Sequence, residues 1–191
     1  MQRPARITTS GSASGPHGGG RMKTATIAAA ILAALTFALP AARAQQPDKE
    51  HEELAKALSA AKIPLQRGLT ASAKEGKPIS GKYEVEHGQL QLSVYTMKGD
   101  KFSEVIVDHK TGKVAKTEPI TGGDDLTAAK SQSEAMAKAK KSLEAAASEA
   151  VKENKGFRAV SVMPALKDGH PMADVTLVKG FEWKTVSEKL D

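Results

Sequence analysis

Apolar and polar positions alternate between two periods along this chain, and the changes of period mark its elements. From Lys49 to Ala61, Leu54, Ala57, Leu58 and Ala61 recur at helical spacing. Pro64 suits the first position of a second short helix with Leu65, Leu69 and Ala73 inward, and Gly76 is placed to end it. The period then drops to two. Tyr83 and Val85 alternate with Lys82, Glu84 and Glu86, His87-Gly88-Gln89 interrupts, and Leu90, Leu92 and Val94 resume the alternation as the return strand of a hairpin. A break at Lys98-Gly99-Asp100 leads to a third strand, with Val105 and Val107 on one face and Glu104 and Ile106 on the other. The succession then repeats. Leu126, Ala129, Met136, Leu143, Ala147 and Val151 predict one long helix closed by Gly156, with Ser131 and Glu134 at capping-box spacing as the mark of an alternative internal start. Three more strands are expected over 157–166, 172–178 and 181–186.

An internal shift of 81 residues superposes the two stretches. Gly88 falls on Gly169, Lys98-Gly99 on Lys179-Gly180, Val94 on Val175, Val105 on Val186 and Phe102 on Trp183. Turns and inward positions agree at one offset, which points to a duplicated unit. The expected class is α+β, two tandem units of helix plus three-stranded antiparallel sheet. The first unit covers 45–118, residues 119–124 link it to the second, and the second, diverged unit covers 125–191.

The start of the chain reads differently. Met22 and Lys23 precede an apolar run from Ala25 to Leu39, then Pro40 and Ala42-Arg43-Ala44. A basic start, a short apolar middle and small residues two apart are the marks of an export signal, so residues 22–44 are read as a signal peptide. Ala42 and Ala44 flank the cut, and Gln45 opens the mature chain. The run is too short for a membrane anchor, no second candidate span follows, and the expected location is the periplasm or the exterior. Residues 1–21 hold no acidic residue and are rich in Gly, Ser, Pro and Arg, so they are expected to be disordered or to precede a true start at Met22.

That assignment changes the charge. The whole chain is +6, but Arg3, Arg6, Arg21, Lys23 and Arg43 all precede Gln45, leaving 23 basic against 22 acidic residues. A near-neutral chain with scattered lysines offers no field for nucleic acid. Without cysteine there is no disulfide, thiol nucleophile or thiolate ligand. The common hydrolase, phosphate-loop and zinc motifs are also missing. The mature histidines His51, His87, His109 and His170 show no helical ligand spacing, and Asp124-Asp125 suits a helix start. The reading is therefore noncatalytic, without metal or cofactor.

The most specific local pattern is Val107-Asp108-His109-Lys110-Thr111-Gly112-Lys113-Val114. Asp108 is expected to bind turn amides beside Thr111, Gly112 to take a positive φ, and His109 and Lys110 to project into solvent. With Leu65, Leu69 and Ala73, and with Tyr83-Glu84-Val85-Glu86, this pattern makes residues 63–114 resemble a PepSY domain, a module of metallopeptidase propeptides and of stand-alone exported proteins. The second half resembles a diverged copy that stops at Lys189 to Asp191, where the Asp-to-Gly turn would fall. The resemblance implies a noncatalytic binding or regulatory protein that restrains an envelope protease in trans or contacts another exported protein. Two alternatives stay open, a small-ligand or metal carrier of the envelope and a structural envelope protein. An apolar pocket between the halves would favour the carrier.

Overall fold

The computed structural model describes residues 49–191. The signal-peptide assignment, with Ala42, Ala44 and Gln45, lies outside them. The described chain is α+β. Its elements are α1 (Lys49–Ala57), a short 3-10 helix (Leu58–Ala60), α2 (Leu65–Ser72), β1 (Lys77–Glu86), β2 (Gln89–Lys98), β3 (Lys101–Val107), β4 (Val114–Ile120), α3 (Gly123–Lys138), α4 (Leu143–Glu153), β5 (Arg158–Lys167), β6 (His170–Lys179) and β7 (Glu182–Lys189). Among the described residues no helix is long and apolar enough to cross a membrane.

Two separate three-stranded sheets are not what forms. One seven-stranded antiparallel sheet runs in the order β4-β3-β2-β1-β5-β6-β7, so β1 and β5 join the halves at its centre. The first half carries a fourth strand, β4, whose five central residues are all exposed. Pro119 and Ile120 lie in that strand, and α3 begins at Gly123.

The 81-residue offset nevertheless governs the geometry. Strands β1 and β5 each carry a bulge, between Pro78 and Ser80 and between Ala159 and Ser161. The left-handed pairs His87-Gly88 and Asp168-Gly169 close equivalent hairpins, and Gly99 and Gly180 have φ of 61° and 60°. Phe102 pairs with Met97 on β3, and Trp183 pairs with Val178 at the same place on β7. At the junction Gly81 stands opposite Val162, its own counterpart. A local two-fold axis normal to the sheet therefore passes through this pair.

Side chains alternate across the sheet, and helices use both faces. Gly81, Tyr83, Leu92, Val94, Val105 and Val107 share the face covered by α2 and α4. A methyl at Gly81 would meet Leu69 at 3.0 Å, one at Gly68 would meet Leu92 at 2.5 Å, and Gln66 Nε2 of α2 donates to Ala147 O of α4 at 3.2 Å. Leu65, Leu69, Leu92, Leu143 and Leu177 are fully buried there, each stabilising by about 1.5 to 3 kcal/mol. On the opposite face Ser80 Oγ donates to Gln132 of α3 at 2.7 Å, and His51 of α1 lies 4.4 Å from the ring of Trp183.

The single long helix expected over 126–151 is two helices. Ser131 and Glu134 lie inside α3, and the break falls at residues 139–142, where Ser142 caps α4 by accepting from Ala145 N at 3.1 Å. Alanine and lysine would continue a helix here. Tertiary bonds prevail instead, because Lys140 N and Lys141 N both donate to Leu190 O, at 2.6 and 2.9 Å. Gly76 has no positive φ; a methyl there would meet Met97 O at 2.8 Å, so close backbone approach explains the glycine.

Candidate functional site

Each half ties down the linker between its two helices in the same way. In the first, Lys62 N and Ile63 N donate to His109 O at 2.9 and 3.2 Å; in the second, the acceptor is Leu190 O, 81 positions on. His109 is thus an anchor, half-buried with its ring Nδ1 inside and without a partner, rather than the solvent-projecting side chain expected of it. The carboxylate of Asp108 accepts from Lys110 N at 2.9 Å, Thr111 N at 2.6 Å and Thr111 Oγ1 at 2.9 Å, which holds its pKa below the usual carboxylate value. Gly112, at φ +75°, donates its N–H to Asp108 O and lies against the Arg67 side chain. Asp108, Thr111 and Gly112 therefore form one turn, which holds the 61–64 linker in place.

A second relation crosses between the halves. Lys77, at the start of β1, donates from Nζ to Met136 O near the end of α3 at 2.8 Å. Arg158, at the start of β5, donates to Leu58 O at 3.0 Å and to Ile63 O at 3.4 Å. Lys77 and Arg158 are 81 positions apart, while their acceptors Met136 and Leu58 are 78 apart, the offset that also aligns the capping residues Pro64 and Ser142. Cations suit helix ends, where carbonyls lack partners.

At this crossing the two halves differ. Around Arg158 an aromatic ring packs: the guanidinium lies 5.5 Å from the Tyr83 ring centre, and the Tyr83 hydroxyl donates to Ile63 O at 2.8 Å. Burial pushes the Tyr83 pKa up to about 12, against the opposing pull of Arg158. The position equivalent to Tyr83 is Pro164, and Lys77 replaces the guanidinium. A cavity of about 370 Å³ opens beside Lys77. Leu69 and Ala73 of the first half and Met136, Ala139 and Leu143 of the second make its apolar wall, and Lys77, Lys140, Lys141 and Glu144 are its charged lining residues. Lys141 is drawn to Glu149 at 2.5 Å, which raises its pKa.

Other hollows are built differently. One of about 460 Å³ is lined by Glu86, His87, Gln91, Asp108 and His109 among others, and one of about 570 Å³ lies along Asp100 to Ser103 and Pro119 to Thr121. Both lie at the ends of hairpins.

Among the described residues the four histidines stay apart. His51 stacks near Trp183, His87 is exposed in a turn, His109 anchors the linker, and His170 Nδ1 lies 3.0 Å from Asp191 Oδ2. Among the described residues no group of three or more His, Asp or Glu could hold a metal ion. Sequence reasoning passed over Lys77, Met136 and Leu143 as cavity residues; the unequal counterparts Lys77 and Arg158 at the repeat offset were the available signal. Comparison with family models, curated proteins and solved structures found no match.

Proposed function

We propose that this chain is an exported, noncatalytic, PepSY-like binding protein whose cavity between the halves holds a small amphipathic ligand, an apolar body ending in an anionic head. The observation that carries this reading is the cavity beside Lys77, whose apolar wall is built by both halves. Its volume lies within the range of small-molecule sites, which are mostly apolar with a few placed polar groups. With Lys141 paired to Glu149, Lys77 and Lys140 against Glu144 leave one net positive charge, which favours an anionic head, and the apolar wall favours a hydrocarbon or aromatic body. Tandem PepSY-like units account for the shared bulges, turns and latches.

The test is native mass spectrometry of the protein purified from the periplasm. We expect a retained anionic, apolar small molecule that is lost on Ala73→Trp, which fills the cavity. A ligand-free wild type that also takes up no medium-chain alkanoate when one is supplied would overturn the reading.

A second reading, regulation of an exported protein such as an envelope protease restrained in trans, draws support from the Asp108 turn, whose exposed Lys110 and Thr111 are held rigidly by three bonds to one carboxylate. Here the retained species would be a protein, and charge reversal at Lys110 would release it.

A further inference from the structure

The sheet has two edges, and they are unlike. The β4 edge carries Pro119 in a strand whose five central residues are exposed. Proline is an ordinary guard against strand addition, since it has no N–H to give a ladder. The β7 edge, Glu182–Lys189, contains no proline. In the first half β4 lies antiparallel along β3 in the place that, around the local two-fold, corresponds to the space beside β7. Beside that space Phe181 is 55% exposed and Trp183 is half-buried, with its indole Nε1 buried and unpartnered.

The residues of β7 choose an occupant. When β7 is laid antiparallel on itself about Val186, Lys184 stands opposite Glu188 of the second copy, and Glu188 opposite Lys184, on the face that holds Val186. On the other face Trp183 meets Lys189 of the second copy and Thr185 meets Ser187. A register centred on Thr185 puts Glu182 opposite Glu188, and one centred on Ser187 puts Val186 opposite Glu188 and Lys184 opposite Leu190, losing both Lys184–Glu188 pairs. Opposite charges facing each other across a pair of strands stabilise it and like charges oppose it, and a lysine over tryptophan adds a cation–π contact. Glu188 has a further need for a cation: besides its burial, Glu149 and Glu153 raise its pKa, with only Lys141 opposing.

We propose that β7 is a self-pairing edge, joining two copies into one continuous antiparallel sheet about Val186. Such an interface is isologous, each copy giving and receiving the same contacts.

The chain has no cysteine, so a single introduced one reports unambiguously. Paired residues across antiparallel strands have Cβ atoms about 4.5 to 5.5 Å apart, near disulfide range. In a glutathione redox buffer Val186→Cys should give a disulfide-linked dimer, while Thr117→Cys on the β4 edge should stay monomeric. By sedimentation the wild type should be a reversible dimer in the micromolar range. Lys184→Glu, which sets two like-charge contacts in place of two attractive ones, should raise the dimer dissociation constant on the order of tenfold, and Lys184→Glu with Glu188→Lys should restore it. If Lys184→Glu loses its native circular dichroism, the Val186→Cys result decides. A wild type monomeric throughout that range, or crosslinking through Thr117→Cys and not Val186→Cys, would overturn the proposal, as would a folded double variant that stays dissociated.

Discussion

Lys77 and Arg158 hold the same place in the two halves, and each crosses the sheet junction to bind a carbonyl at the end of the other half's first helical segment. The exchange is reciprocal but unequal. Arg158 reaches two carbonyls and covers Tyr83; Lys77 reaches Met136 O and leaves a cavity beside it.

Arg158→Met should therefore cost about 2 kcal/mol, because Leu58 O and Ile63 O lose a charged donor in a half-buried site. Lys77→Met should cost about 1 kcal/mol or less, since its exposed ammonium is screened and only one bond is lost. Urea melts of the two variants check the order. A larger loss at Lys77 would contradict the assignment of Arg158 as the stronger tie.

The turn at Asp108 gives a second contrast. Gly112→Val must hold a β-branched residue at φ +75° beside Arg67 and should destabilise by about 1 to 3 kcal/mol. Lys110→Ala should leave the melting curve nearly unchanged. His109→Ala should fall between, since its carbonyl latch survives while its half-buried ring is lost. A Gly112→Val protein as stable as wild type would mean that the turn does not carry the linker.

The two tyrosines predict an alkaline limit. Tyr83 is raised from 10.0 to about 12 by burial, and Tyr95 is raised further by burial and by the nearby carboxylates of Glu104, Asp125 and Glu84. The native state holds the neutral phenol more tightly than the unfolded chain does. The stabilisation is therefore complete below about pH 10 and is lost as pH rises through about 12. Ultraviolet titration of phenolate should show no native ionisation near pH 10, with both tyrosines titrating late or together with unfolding. Tyr83→Phe, whose ring cannot ionise, should lose less stability over that interval than wild type. An ordinary tyrosine titration in the folded protein would contradict the burial argument.

Much of the fold was legible because period-two alternation and glycine turns repeat at one offset. Strand β4 was not, for a physical reason. At an exposed edge neither face of Val114–Ile120 is buried, so no alternation is imposed, and Pro119 argues against a strand unless the edge is open to water. The break between α3 and α4 was hidden by residues of high helix propensity; the winning terms were the bonds to Leu190 O and the Ser142 cap. Leu190 reads as a lone apolar residue, yet it is fully buried and its carbonyl receives both linker amides. The cavity was hard to read in advance, since α2, the end of α3 and the start of α4 line it together only once the chain has folded. Its trace in the sequence is the inequality of Lys77 and Arg158 at the repeat offset.

The most direct measurement of the central claim is calorimetric titration of delipidated protein with a medium-chain alkanoate, beside the alkylammonium of equal length. The cavity reading predicts saturable one-to-one binding of the carboxylate with a negative heat-capacity change, little or no binding of the ammonium, and loss of binding in Ala73→Trp with the fold retained. Equal binding of both amphiphiles, or undiminished binding by folded Ala73→Trp, would contradict it.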